Sequence, residues 1–155
     1  MLVFCLVAVV VITWFETIIV FNGFKNQYVS VVKDRFNKRL KFVRQPFSFK
    51  LPYPLQTVDA KIKLYSQQFK RYVSLDEDGM EFVLKYQVIS PEKFYPILHE
   101  LDEYLLELVS NLIMKDIYVI EDKQKLEVFI REKLISVLKN HGIKVNVFIL
   151  IVPTR

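Results

Sequence analysis

Val58-Asp59-Ala60-Lys61-Ile62-Lys63-Leu64 alternates apolar and polar side chains with a strict period of two. That is the pattern of a strand with one face in a core and one in water. Working outward toward the C-terminus, residues 69–74 are again β-prone. Asp76-Glu77-Asp78-Gly79 reads as a hairpin turn with Gly79 available for positive φ, and Met80 to Val88 resumes the alternation. The three runs together predict an antiparallel meander.

Beyond the meander the period changes from two to that of a helix. Ser90-Pro91-Glu92 places a capping residue, a proline at the first helical position and an acid at the positive end of the dipole. Pro96 limits this first piece. Leu101 to Met114 then carries Leu105, Leu108, Leu112 and Ile113 on one stripe, and Lys123 to Asn140 carries Leu126, Phe129, Ile130, Leu134, Val137 and Leu138. His141-Gly142 ends the second helix with glycine at the C′ position, and Ile143 to Val152 returns to alternation before Pro153. Sheet, helices and a last strand make an α+β domain in which two amphipathic helices cover one sheet face.

Toward the N-terminus from Val58, Pro46, Pro52 and Pro54 punctuate an extended edge segment, because proline cannot donate to a central ladder. Before it, residues 17–21 and 27–33 are short β-prone stretches separated by Asn22-Gly23, a tight-turn pair. Residues 2–20, LVFCLVAVVVITWFETIIV, are apolar apart from Thr13, Glu16 and Thr17. A helix that crosses a bilayer needs about 20 residues, so residues 1–20 read as an uncleaved transmembrane anchor. Trp14 and Phe15 fall where an interfacial aromatic belt would lie. No basic leader or small-x-small site supports a cleavable signal.

The chain has 155 residues, 52% hydrophobic and 25% charged, with a formal charge of +5. The excess of bases lies between Lys25 and Lys50, where Asp34 is the only acid. A basic stretch directly after an apolar segment fits anionic headgroups, and no aromatic RNA-binding motif, zinc-finger spacing or recognition helix accompanies it. Cys5 is the only cysteine, which excludes an intramolecular disulfide and a multi-thiolate metal site.

The same elements resemble the SPFH (band 7) family of stomatin, prohibitin, HflK and HflC. Arg35-Phe36-Asn37-Lys38 is similar to the family's Arg-Phe-Gly-Lys. Residues 46–52, Pro-Phe-Ser-Phe-Lys-Leu-Pro, resemble its Pro-Gly-Leu-His-Phe-Lys-Leu-Pro with one residue fewer, and Thr57-Val58-Asp59 follows. Asp78-Gly79, residues 86–95 (Tyr-Gln-Val-Ile-Ser-Pro-Glu-Lys-Phe-Tyr) and Gly142-Ile143-Lys144-Val145 look like the family's hairpin, its V-x-D-P-x-x-F-Y segment and its G-I-x-V. The bacterial HflC branch fits best, truncated at Arg155 before the family's coiled coil.

The resemblance implies an α+β chain: an N-terminal transmembrane helix over 1–20, then an SPFH domain over 21–155 whose antiparallel sheet packs with helices. It implies a non-enzymatic, oligomeric scaffold of a bacterial inner membrane with its domain on the periplasmic side, whereas the bases that follow the anchor favour the cytoplasmic side by the positive-inside rule. Such a scaffold acts with an HflK-like subunit to modulate an FtsH-like membrane AAA protease. A stomatin- or prohibitin-like microdomain scaffold and a membrane-linked hydrolase are the alternatives. The membrane-contact candidates are Trp14, Phe15, Phe47, Phe49, Leu51 and Tyr53.

No catalytic, cofactor or metal residue is assigned. The histidines, His99 and His141, have no neighbouring Ser or Cys and no metal-ligand spacing. The acidic clusters 76–78 and 100–103 suit a turn and a helix start, and three glycines leave no phosphate-binding loop.

Overall fold

The computed structural model describes Cys5, Val7, Val10 and residues 18–23, 27–75, 78–117, 120 and 122–151. They fall into two compact units, residues 1–64 and 65–155.

The first unit is built of short strands. β1 (Ile19–Phe21) pairs antiparallel with β4 (Phe47–Phe49). A second sheet has the order β3-β2-β5, with β2 (Tyr28–Asp34) between β3 (Leu40–Val43) and β5 (Gln56–Lys63). Valines at 29, 31 and 32 give β2 its strand preference, and all three are buried, as a central strand requires. Val20, Val32 and Val43 join β1, β2 and β3 in one apolar cluster. The alternation read in residues 58–64 holds at Ile62, which is buried, but Val58 is 37% exposed. The register explains this: Val31 faces Ala60 while Val32 faces Val58, so Asp59 is an extra residue in β5. Such a bulge re-aims the side chains beyond it.

The second unit contains the expected hairpin and helices, but not the expected three-run meander: the run at 58–64 pairs with β2 in the first unit, and the third strand of this sheet is supplied by the C-terminal run. β6 (Gln67–Leu75), β7 (Asp78–Val88) and β8 (Ile143–Ile151) form an antiparallel sheet with β7 in the middle. Between β7 and β8 run α1 (Pro91–Phe94), a single 3-10 turn (Tyr95–Ile97), α2 (Leu101–Asp116) and α3 (Lys123–Asn140). The buried stripe of α2 is Leu101, Leu105, Val109 and Ile113, and that of α3 is Leu126, Ile130, Leu134 and Leu138. Both repeat every four residues, which puts them on one face; Leu108 and Leu112 flank the α2 stripe and are half-buried. The stripes and Phe69, Phe82, Leu84, Phe148 and Leu150 make up the core of this unit.

Two helix starts are capped differently. Asp122 accepts hydrogen bonds from the backbone N–H groups of Gln124 and Lys125, satisfying donors that a helix start leaves open. Ser90 occupies the N-cap of α1, but its hydroxyl is 3.3 Å from the Glu92 carboxylate and makes no capping bond.

The expected fold class requires correction. The α+β class with antiparallel sheets is present, but among the described residues no helix is long and apolar enough to cross a membrane. At the end of the proposed anchor, Ile19 and Val20 are strand residues paired with Phe49 and Ser48, and Val20 is buried in the sheet cluster. Ile19 and Val20 are both β-branched, which favours that extended form. The strands also form three separate sheets instead of one. Most of residues 1–17, including Trp14 and Phe15, lie outside the described residues. Of the turn predicted at 76–79, residues 76 and 77 lie outside the described residues, and Asp78 and Gly79 belong to β7. Gly79 is a paired strand residue opposite Ser74, and its φ is not positive.

Candidate membrane-contact surface

β1 and β4 form a two-stranded ribbon in which Ile19 faces Phe49, Val20 faces Ser48 and Phe21 faces Phe47. Successive side chains of a strand point to opposite faces, so Ile19, Phe21, Phe47 and Phe49 share one face while Val20 and Ser48 share the other. Val20 is 2% exposed, and its face of the ribbon meets the valine cluster. The opposite face is outward: Ile19 and Phe21 are exposed, and Phe47 and Phe49 are 54% and 76% exposed. The Phe21 and Phe47 rings lie 5.0 Å apart, centroid to centroid, tilted by 37°. Just beyond β4, Leu51 is 51% and Tyr53 70% exposed.

A two-stranded ribbon alone is marginal in water. This one is tied down at both ends. The Lys50 N–H donates to the Ile18 carbonyl at 2.8 Å, and the Asn22 N–H donates to the Pro46 carbonyl at 2.9 Å. The buried Asn22 side chain donates from Nδ2 to the carbonyls of Val43 and Gln45, each at 2.8 Å, and its Oδ1 accepts from the Ser30 hydroxyl. Asn22 thereby links β1, β2 and the chain between β3 and β4, so the outward aromatic face rests on a satisfied polar joint.

Cations border the surface. Lys61 Nζ donates to the Phe21 carbonyl at 3.1 Å, and Lys50 Nζ donates to the Gln56 carbonyl at 3.3 Å. Residues 1–64 carry ten Lys and Arg against three acids, a formal +7. Residues 65–155 carry twelve against fourteen, a formal −2. The positive charge of the chain therefore resides with the unit that bears the apolar ribbon.

Of the six sequence-derived contact candidates, Phe47 and Phe49 lie on this outward face, Leu51 and Tyr53 are exposed after it, and Trp14 and Phe15 fall outside the described residues. Sequence reasoning missed Ile19 and Phe21 as surface residues. Their signal was the alternation Ile-Val-Phe against Phe-Ser-Phe, which pairs two large side chains with two others once the strands are in register.

His99 is exposed in the turn before α2. His141, at the C-cap of α3, has its Nε2 at 3.0 Å from the Tyr104 hydroxyl and its ring edge-on to the Tyr104 ring. Desolvation pushes the Tyr104 phenol above its ordinary pKa. Among the described residues no group of three or more His, Cys, Asp or Glu converges as a metal set. No protein-family model matches the chain, and a search of curated proteins finds no match.

Proposed function

We propose that this chain is a non-catalytic scaffold that seats its N-terminal unit on an anionic bilayer through the outward face of the β1–β4 ribbon. The observation that carries the reading is the pairing of Ile19 with Phe49 and of Phe21 with Phe47 on an exposed face of a unit with formal charge +7. Full burial of one such side chain contributes about 1.5–3 kcal/mol, and nearby lysines add attraction to anionic headgroups, about 1 kcal/mol for each one close to the surface. Aromatic rings with lysines beside them suit the interface, where one side is apolar and the other wet. The resemblance to the HflC branch of the SPFH family points to an HflK-like partner subunit and an FtsH-like membrane protease as the system this scaffold regulates at the bacterial inner membrane.

Co-sedimentation of the full chain with vesicles of phosphatidylcholine and phosphatidylglycerol tests the reading. Replacing both Phe47 and Phe49 by Ser is expected to weaken vesicle binding at least about tenfold, and added salt is expected to weaken the binding of the parent chain. Unchanged binding in the double variant would refute the ribbon as the contact surface.

A further inference from the structure

A second feature of the N-terminal unit has a different chemistry from the ribbon. Lys33, Asp34, Arg35, Lys38, Tyr53, Pro54, Thr57 and Asp59 line a cleft of about 580 Å³. Its cations come from the end of β2 and the turn that follows. Its other wall is the turn before β5 and the first residues of that strand.

The two walls are fixed to each other. The Arg35 N–H donates to the Leu55 carbonyl at 3.0 Å, and the Leu55 N–H donates to the Pro52 carbonyl at 2.9 Å. Gln56 accepts at Oε1 from the Leu51 N–H at 2.9 Å, and its Nε2 reaches Asp34 Oδ2 at 3.5 Å. Asp34 Oδ1 accepts from the backbone N–H groups of Phe36 and Asn37 at 2.9 and 3.1 Å. Lys38 closes this turn with φ of +52°.

The charges are unequally free to act. Two carboxylates line the cleft with the three cations: Asp34 Oδ1 is taken up by the turn N–H groups and its Oδ2 lies 3.5 Å from Gln56 Nε2, while Asp59 is engaged within the protein. Among the described residues, none of Lys33, Arg35 and Lys38 forms an ion pair. Three cations around one cleft match a dianion better than a single carboxylate, and a guanidinium is suited to phosphate oxygens. The hydroxyls of Tyr53 and Thr57 are further donors, and the Tyr53 ring with Pro54 offers an apolar wall for an organic substituent. The rigidity of the walls reduces the ordering cost of binding.

We propose that this cleft binds a phosphate monoester, held by Lys33, Arg35 and Lys38 with its organic part against Tyr53 and Pro54. The ester is carried either by a lipid headgroup or by a soluble molecule. The site includes Tyr53, which is exposed beside the ribbon, but neither Phe47 nor Phe49, so changes at those two rings test the bilayer contact separately from the cleft.

The test is an NMR titration of the isotope-labelled full chain with phenyl phosphate, followed at Tyr53 and Thr57. Beside it, binding is measured to vesicles containing phosphatidic acid, a monoester, or phosphatidylglycerol, a diester, at matched surface charge. The comparison chain carries Arg35→Gln with Lys38→Asn, because asparagine tolerates the left-handed backbone at position 38. Lys33→Gln is the second variant, with the helical and sheet signature of each checked by circular dichroism. Saturable shifts with phenyl phosphate, about tenfold weaker in the variants, establish the site with a soluble ester as ligand. A preference for phosphatidic acid that the variants lose establishes it with a lipid headgroup. Equal binding to both lipids together with no response to phenyl phosphate, or responses that folded variants leave unchanged, would overturn it. The Phe47→Ser, Phe49→Ser chain is expected to keep phenyl phosphate binding while losing vesicles, which separates failure of the cleft from failure of the ribbon.

Discussion

Asn22 shows how one residue can be read correctly for conformation and incompletely for energetics. Asn-Gly signals a turn, and Gly23 does take a positive φ of 81°. The Asn22 side chain is also 1% exposed and supplies bonds to Val43, Gln45 and Ser30. Asn22→Ala is expected to destabilise the chain by about 2–4 kcal/mol in urea denaturation, because several buried polar groups lose their partner at once. Nothing local in the sequence names those partners, which are brought in by sheet pairing. Gly142 is the opposite case. Its place after α3 was legible as a C′ glycine, and φ is +71°. A Cβ there would stand 2.4 Å from the Ser90 carbonyl oxygen, so Gly142→Ala is expected to cost about 1–3 kcal/mol, read as a lowered melting temperature. Asp34 contributes a pH dependence. The backbone N–H of Asn37 foremost holds its carboxyl below the ordinary carboxylate range; desolvation, next in weight, opposes this, and the Phe36 N–H, the Gln56 side chain and the charge of Arg39 add to the lowering. A depressed folded pKa gives stability that is present above the unfolded pKa and lost as pH falls through the folded one. The melting difference between the parent chain and Asp34→Ala is therefore expected to be full at neutral pH and to shrink below the ordinary carboxylate range.

The strands and helices of the second unit were legible from their periods, and the buried stripe 126, 130, 134, 138 of α3 lies within the set read from the sequence; on α2 only Leu105 and Ile113 of the expected stripe are fully buried, with Leu101 and Val109 taking the places expected for Leu108 and Leu112. The first unit was harder. β3 has no apolar alternation, since Leu40 and Lys41 are exposed and only Val43 is buried, and a bulge shifts the phase of β5. The contact surface was half legible for a related reason, because β4 advertises its aromatics and β1 hides its own at the end of an apolar run. α3 does more than pack. Arg131 donates to the Asn146 carbonyl at 3.2 Å, and the Leu150 N–H donates to Glu127 Oε1 at 2.8 Å. Both acceptor and donor lie on β8, an edge strand whose other side pairs with β7. Side chains of a helix thus occupy edge groups that could template another chain. Removing both, as Glu127→Ala with Arg131→Ala, is expected to raise aggregation on mild heating, measured by light scattering, and to cost about 1–3 kcal/mol for the orphaned Leu150 N–H.

Across the whole molecule, charge and pairing divide at the same place. Among the described residues every strand pairing stays within its own unit, and the formal charges of +7 and −2 follow that division. Residues 65–155 contain a complete three-stranded sheet with two helices, enough for an independent core. A protein of residues 65–155 alone is expected to unfold cooperatively and to bind anionic vesicles far more weakly than the full chain, by denaturation and co-sedimentation. The order of pairing along the chain also sets a timetable. In the first unit β1 pairs with β4 and β2 with β5, so this unit has its ladders as soon as β5 has emerged from the ribosome. β7 must wait much longer for its second neighbour, since Val88 meets Ile143 and Glu81 meets Ile151. At about 5–20 residues per second, that interval lasts seconds. Throughout it Phe82 and Leu84 lie on a strand with one open side, which makes the nascent second unit a client for chaperones while the first unit is already folded.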